Sequence, residues 1–195
     1  DKIDSSVERI IQTAKISDLC GAESMTFHAA FYMKDSPYDV FDLVEKSLNV
    51  IEERLSRLDI EIELRPELTG KTSQFGSLEE LMSLTKSVNS CCPCMDFSHL
   101  FARTGKFNTE DEFQEVLDRL TDELGAKALQ NMHIHLSGIS SNSKGDLKHL
   151  NLEESKFNWK GLLNTLKKND CRGYIICNSP NLEVDAKLMK DYYLA

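Results

Sequence analysis

The chain has 195 residues, of which 41% are hydrophobic and 28% are charged, and its formal net charge is −9. This composition is that of one globular domain with an apolar core, and its acidic balance argues against broad, non-specific coating of nucleic acid while allowing a local basic rim. No apolar run approaches the roughly 18 residues of a membrane helix, so no membrane partner is expected. The six cysteines lack a second pair at zinc-knuckle spacing, and their apolar settings indicate buried thiols in a reducing cytoplasm.

Helical and strand patterns alternate along the chain. The first is a helix over residues 5–20, for which Ser5 and Glu8 form a capping box and Gly21 a stop. Five strands follow, each leading into a helix, and they are predicted at residues 24–31, 60–67, 91–96, 131–136 and 173–178. The helices are predicted to begin at Ser36–Pro37, Ser77, Thr109, near Trp159 and at Leu182. Long loops are expected over residues 97–108 and 137–156.

The order of these elements predicts a barrel. Alternation of this kind implies parallel strands joined by helical crossovers. An open doubly wound sheet would have strands that are apolar on both faces, whereas the strand at 60–67 is charged on one face. A TIM barrel with a polar lumen near its mouth accounts for this pattern, but a complete (β/α)8 barrel takes roughly 250 residues. Residues 1–195 are therefore expected to be a single TIM-barrel domain with five βα units, lacking the first three strands, which agrees with a start at Asp1.

Metal-ligand residue types collect at the carboxyl ends of the predicted strands, where the chemistry of a TIM barrel is located. Imidazoles and carboxylates bind zinc or manganese, and several of them around one mouth are what a multi-metal phosphodiester hydrolase needs. The candidate ligands are His28, Glu67, Asp96, His99, His135 and Asn178 at the strand ends, with Asp146 and His149 in the loop after His135. The candidate DNA-binding residues are Arg65, Lys71, Arg103, Lys106 and Lys144. A solvated loop charge is the alternative interpretation of each basic residue.

Five short segments give the chain a family resemblance. They are residues 27–32 (FHAAFY), 65–71 (RPELTGK), 94–99 (CMDFSH), 133–138 (HIHLSG) and 179–183 (SPNLE). In their order and spacing the chain resembles the endonuclease IV family of apurinic/apyrimidinic endonucleases, and above all its archaeal-type members, within the xylose isomerase-like TIM barrels. The ordered set extends over essentially the whole chain and is more specific than any single segment.

The resemblance implies a monomeric enzyme with up to three zinc ions, or manganese in their place, that cuts double-stranded DNA on the 5′ side of an abasic nucleotide. The implied ligands are His28 for the first ion, Glu67 as the bridge to the second, Asp96 and His135 for the second, and His99, Asp146 and His149 for the third. Glu67, Asp96 and His135 would be the catalytic set around an activated hydroxide. The abasic nucleotide would be flipped out of the duplex, which is cheap because it has no stacked, paired base.

The chain departs from the family pattern in three places. Asn178 stands where the family has Glu, and an amide is a poorer zinc ligand than a carboxylate, so the second metal site is expected to be weaker. The family places an Asp two residues before the last His, and here that position is Leu147, with Asp146 one residue earlier. One His ligand of the first ion would lie on a strand that the chain lacks.

Two alternatives to the nuclease follow from the same residues. A sugar isomerase or epimerase of the same superfamily would use one or two ions and a small-molecule pocket. A metal-poor, inactive fragment that binds DNA or a partner without turnover would account for Asn178. The loop-borne third site, formed by His99 and His149, favours the nuclease because an isomerase has no need of it.

Overall fold

An arc of five parallel strands with helical crossovers is the frame of the structure, a computed structural model that describes residues 2–195. The arc consists of β1 (Ser24–Phe27), β2 (Glu63–Pro66), β3 (Cys94–Asp96), β4 (Met132–Leu136) and β7 (Gly173–Cys177), and a separate hairpin consists of β5 (Gly138–Asn142) and β6 (Gly145–Leu150). The helices are α1 (Lys2–Leu19), α2 (Pro37–Ser56), α3 (Leu78–Ser87), α4 (Phe97–Thr104), α5 (Glu110–Leu124), α6 (Trp159–Lys168) and α7 (Glu183–Leu194). Within the described residues, no helix has the length and apolar character to cross a membrane.

The parallel strands follow one another in chain order. β1 pairs with β2, and β3 pairs with β4, which in turn pairs with β7. Single backbone bridges from Leu64 to Cys91 and from Glu67 to Cys94 join β2 to β3. Parallel neighbours need long crossover connections, and here helices supply them. These are five successive βα units of a TIM barrel, as the alternation of patterns predicts.

The arc curls around a lumen that is lined by the inward faces of its strands. The Ser24 hydroxyl on β1 lies 3.3 Å from Nδ1 of His133 on β4, although β1 and β4 are not neighbours in the arc. The Tyr174 hydroxyl on β7 donates to Glu23, just before β1, at 3.1 Å. Because side chains point alternately to the two faces of a strand, His135 shares the lumen with His133.

The outward faces of the strands form the core beneath the helices. One buried cluster packs β3 and β4 against α3 to α6, and it includes Phe113 and Ile134. A second packs β1 and β2 against α1 and α2, and it includes Ile51 and Leu64. Burying each such side chain contributes about 1.5–3 kcal/mol. The arc is therefore held from outside, which leaves its inner face free for polar residues.

Most of the expected helix ends are found. Ser36 caps α2, and Ser77 with Glu80 and Thr109 with Glu112 form complete capping boxes. The expected box between Ser5 and Glu8 is wrong, because the helical pattern extends back and α1 begins at Lys2.

Both expected long loops contain regular structure. Residues 97–104 form α4 directly after β3, because the Asp96 side chain caps the helix without any intervening turn. Residues 138–150 form the antiparallel hairpin β5–β6. Its strands carry mostly polar side chains, so they lack the apolar alternation by which a strand is recognised.

Candidate metal centre

The mouth of the barrel collects five of the expected metal ligands. Because β1 to β4 run parallel, their carboxyl ends meet at one edge, where His28 follows β1 and Glu67 follows β2. Ligand atoms of His28, Glu67 and His99 lie within 4.8 Å of one another. Those of Glu67, Asp96 and His135 do the same. The two groups share Glu67 and form one cluster.

Glu67 is at the centre of this cluster. Its Oε2 lies 3.3 Å from Nε2 of His28, and its Oε1 lies 3.0 Å from Nδ1 of His135. Oε1 is also 3.6 Å from Nδ1 of His99. The two carboxylate oxygens thus face different imidazoles, which is the arrangement of a carboxylate that bridges two cations.

Two buried polar atoms of the cluster lack a hydrogen-bond partner among residues 2–195, namely Oδ2 of Asp96 and Nδ1 of His135. Asp96 is 0% exposed, and its Oδ1 accepts from the backbone N–H of His99 at 2.8 Å, while its Oδ2 lies 3.4 Å from Nδ1 of His99 without a hydrogen bond. Nδ1 of His135 lies 3.0 Å from Oε1 of Glu67, but the two atoms do not have the geometry of a hydrogen bond. Unpaired polar atoms in an interior cost free energy. A divalent cation between these groups would satisfy both atoms, so the donor set fits a metal ion.

His99 and His149 face each other with their unprotonated nitrogens. Nδ1 of His99 lies 3.0 Å from the Leu68 carbonyl oxygen, and Nδ1 of His149 lies 3.0 Å from the Asn178 carbonyl oxygen. A carbonyl can only accept, so in the neutral rings each Nδ1 carries the hydrogen and each Nε2 presents a lone pair. The two Nε2 atoms are 3.3 Å apart. Two nitrogens on a tetrahedral zinc ion, with Zn–N bonds of about 2.0–2.1 Å, are about 3.3 Å apart.

A tight glycine contact docks the hairpin that carries His149. A Cβ atom on Gly145 would lie 2.1 Å from the carbonyl oxygen of Gly70, and the φ angle of Gly145 is +110°. A Cβ atom on Gly70 would in turn lie 2.5 Å from Oδ1 of Asp146. Asp146 therefore packs on the loop after β2, beside the cluster. In the described chain it is not among the groups whose ligand atoms lie within 4.8 Å of one another.

The cluster is strongly coupled electrostatically. Hydrogen bonding to Glu67 raises the pKa of His28 despite partial burial. Burial lowers the pKa of His135, but the adjacent Glu67 carboxylate outweighs it and the pKa is raised. Burial also works against the charge on Glu67, yet the two imidazoles hold its pKa well below its usual range. Burial raises the pKa of Asp96, whose charge is the least compensated.

We expect the metal-free protein to lose thermal stability as the pH rises from about 7 to 8. The ordinary pKa of His28 and His135 is 6.5 and both are raised, so their contribution is complete below pH 6.5 and disappears as the pH rises through the folded-state values. Asp96 acts in the same direction from its ordinary pKa of 3.8 upward, because its pKa is raised. Burial lowers the pKa of His133 to about 4, so His133 opposes the trend until this residue loses its proton in the unfolded chain, at about pH 7. The contribution of Glu67 is present above its ordinary pKa of 4.5 and is lost only in stronger acid. Melting temperatures measured in chelator across this range test the expectation.

The variant His28→Gln is the control for this titration. It should have a shallower dependence of melting temperature on pH, because one of the two raised groups is gone. Zinc should reverse the trend in the unmodified protein, since a metal ion binds deprotonated imidazole. A melting temperature that stays flat or increases between about pH 7 and 8 in chelator would contradict the raised pKa values of His28 and His135.

Two of the expected DNA-binding residues have structural partners instead. Arg65 is 2% exposed, and its guanidinium pairs with Glu63 and donates to the carbonyls of Pro93 and Asn131, at the amino ends of β3 and β4. Its assignment to the mouth is wrong, because this long side chain runs down the lumen to unpaired carbonyls at the opposite end. Arg103 donates to several carbonyls of the loop at residues 69–74 and holds that loop in place.

The expected lysines are exposed at the mouth. Lys71 follows Gly70 and Lys144 precedes Gly145, so both flank the contact that docks the hairpin. Lys106 is exposed in the turn after α4. All three side chains are therefore accessible to solvent, although the protein as a whole is acidic.

Sequence reasoning missed the clip between α4 and β4. The Ser98 hydroxyl donates to the Ser137 carbonyl at 2.8 Å and accepts from the Ser137 N–H at 3.1 Å. This clip fixes the helix that carries His99 relative to the strand that carries His135. A serine one residue before a candidate ligand gives no signal of this kind by itself.

Comparison with known proteins gives a consistent family. The family model described as xylose isomerase-like TIM barrel matches residues 1–192. An uncharacterized protein of Methanocaldococcus jannaschii is 40% identical over 194 residues, which cover 99% of this chain and 70% of that protein. A probable endonuclease 4 of the Aster yellows witches'-broom phytoplasma is 26% identical over 143 residues. The matching residues cover 71% of this chain and about half (48%) of that protein.

Solved structures support the fold. Endonuclease IV from Thermus thermophilus superposes with a TM-score of 0.69 at 21% identity, over 97% of this chain and 68% of that structure. At this identity the likeness shows the fold. The prediction of TIM-barrel architecture is therefore confirmed.

Proposed function

The chain belongs to the family of xylose isomerase-like TIM barrels, and within that family we propose that it is a zinc-dependent endonuclease that hydrolyses the phosphodiester 5′ to an abasic site in duplex DNA. The facing pair of His99 and His149 carries the proposal. It adds a further ligand position beside a cluster that already contains two buried carboxylates. Cleavage of a phosphodiester uses such neighbouring positions to brace the attacking and leaving oxygens, whereas sugar isomerisation needs one or two ions.

The proposed ligands are His28, Glu67, Asp96 and His135 for two neighbouring ions, with His99 and His149 for the third. When bound, divalent ions in such a cluster lower the pKa of water and stabilise negative charge on phosphoryl oxygens. The protein's own part is to hold the ligands in fixed positions. The carbonyls of Leu68 and Asn178 orient the two facing imidazoles, as partners behind metal-binding histidines commonly do.

Asn178 has a different part in this proposal from that of the Glu in the resembling family. Its backbone N–H donates to Leu136 at 2.9 Å and its carbonyl accepts from His149, so the backbone at this position orients a ligand whatever the side chain. The neutral amide would make the second ion the most weakly held of the three.

The exposed side chains of the loops around the cluster are of the types that bind a bent DNA duplex. Lys71, Lys106 and Lys144 are exposed where they can contact backbone phosphates. In the loop after β1, Phe31 is 54% exposed and Met33 is 85% exposed. Apolar side chains of this kind pack against base pairs that are unstacked beside an extruded nucleotide.

The proposal is tested with two duplexes of one sequence, one containing a single stable abasic analogue. The zinc-loaded protein should nick only the strand with the analogue, and only on its 5′ side. Chelator should abolish nicking, and zinc should restore it. The matched control is the undamaged duplex, which should remain intact.

A parallel assay for isomerisation of ketoses and aldoses separates the nuclease from the isomerase alternative. Protein that retains two or three equivalents of zinc and isomerises a sugar but leaves the abasic duplex intact would contradict the proposal. So would zinc-loaded protein that is inactive in both assays.

A further inference from the structure

One layer below the mouth, the lumen contains a thiol beside two imidazoles. Cys94 and His133 are register partners on the neighbouring strands β3 and β4, and His135 lies two residues further along β4. Parallel pairing places all three side chains on the same face of the sheet. One ligand atom from each residue lies within 4.8 Å of the other two. Cys94 is fully buried and His133 is half-buried.

We propose that Cys94, His133 and His135 form a second metal site that takes one thiophilic divalent ion, such as zinc or cadmium. The site uses Cys94 and His133, which have no part in the nuclease proposal, and shares only His135 with the cluster at the mouth. Sulfur and imidazole ligands select zinc-like ions, while carboxylates suit harder ions such as manganese. The lumen would thus offer carboxylate and imidazole ligands at its mouth, and thiolate and imidazole ligands one layer below.

The geometry needs only a small adjustment. With Zn–S of about 2.3 Å and Zn–N of about 2.0–2.1 Å, ligand atoms of a tetrahedral site are about 3.3–3.6 Å apart, so each pair of ligand atoms must close by about 1.5 Å or less. Rotation of the side chains can supply this while the strands remain fixed. The Ser24 hydroxyl, 3.3 Å from Nδ1 of His133, is a neighbouring group that can hold the ring in orientation, as happens behind many metal-binding histidines.

His135 belongs to both layers. Its Nδ1 lies 3.0 Å from Glu67 at the mouth, and its ring centre lies 5.4 Å from that of His133 below. An imidazole offers two nitrogens on opposite sides. A neutral ring binds a metal ion through one of them only, so ions in both layers at once would require His135 to lose its remaining N–H proton to solvent and to bind as an imidazolate.

Cobalt(II) titration of the metal-free full chain tests the inference. A thiolate bound to cobalt gives an intense near-ultraviolet charge-transfer band, which carboxylate and imidazole ligands do not give. At saturation the band should have the intensity of one thiolate-bound cobalt ion per chain, and it should disappear in Cys94→Ser. It should persist in Cys92→Ser, which alters a half-buried neighbouring thiol, and in His28→Gln, which removes a ligand at the mouth.

X-ray absorption of the unmodified, zinc-loaded protein decides the question even if Cys94→Ser fails to fold. The inference expects one sulfur neighbour at about 2.3 Å for one of the bound ions. A coordination shell of nitrogen and oxygen alone would overturn it, as would the absence of a cobalt–thiolate band in the unmodified protein. Retention of the band in Cys94→Ser would assign it to another cysteine and overturn the site as well.

Discussion

Glu67→Gln is expected to empty the first two metal positions and to lower abasic-site cleavage by about a thousandfold or more. Among residues 2–195, Glu67 is the only one whose oxygens face both His28 and His135, at 3.3 Å and 3.0 Å. Gln keeps the shape but loses the charge and one of the two acceptor oxygens. A metal ion contributes several kcal/mol to phosphoryl transfer, and each 1.36 kcal/mol is tenfold in rate.

Elemental analysis after dialysis and single-turnover nicking measure the two parts of this prediction. Glu61→Gln is the matched control, because Glu61 is an exposed carboxylate six residues earlier in the same segment and lies away from the mouth. The control should keep its metal content and its rate. Thermal unfolding of both metal-free variants separates loss of a ligand from loss of the fold. A Glu67→Gln protein with full zinc content and an unchanged rate would exclude Glu67 as the bridge.

The positions of the central ligands could be predicted from sequence because one rule covers them. Parallel strands present their carboxyl ends at one edge, so His28, Glu67, Asp96 and His135 had to meet once the strands were recognised. Strand recognition in turn rested on apolar alternation, which β2 and β4 show clearly. The cluster therefore follows from local pattern plus topology, without any knowledge of side-chain conformation.

What could not be predicted depends on contacts between distant segments. Arg65 alternates with apolar residues as a rim residue would, but its length lets it reach carbonyls at the other end of the lumen. Arg103 lies in the last turn of α4, and its partners lie on the loop after β2. A side chain of this length has several reachable environments, and hydrogen-bond satisfaction by backbone carbonyls decides between them. The spacing of residues in the sequence does not indicate which of these environments the side chain occupies.

The hairpin was hidden for a related reason. Its strands are polar because most of their surface is solvated, so no period of two appears in the apolar residues. Its position depends on the contact of Gly145 with Gly70, which are 75 residues apart in the chain. His149 was identified as a candidate ligand by residue type, whereas the structure supplies the reason that it reaches His99.

Gly145→Ala is expected to withdraw His149 from the mouth and to remove one metal ion per chain, with a loss of about a hundredfold or more in cleavage. The new methyl group would lie 2.1 Å from the Gly70 carbonyl oxygen, and a backbone atom on a packed loop cannot yield by that amount. The hairpin must then move away from the loop after β2. Because the third position needs both facing imidazoles, displacement of β6 removes one of its two ligands. The first two ions should remain, since their ligands lie on the parallel strands.

Gly105→Ala is the control that separates this contact from backbone strain. Gly105 also has a positive φ, +67°, but in the described chain nothing lies within 4 Å of the place that its Cβ would occupy. Ala at position 105 carries the strain of the left-handed region, about 1–2 kcal/mol, whereas Ala at position 145 carries at least that strain together with the clash. The control should therefore melt earlier yet keep all its zinc. Since Gly145→Ala acts through His149, the double variant with His149→Ala should cleave the abasic duplex no more slowly than the slower of the two single variants. If the two losses of cleavage rate were additive, the hairpin would have another role at the mouth.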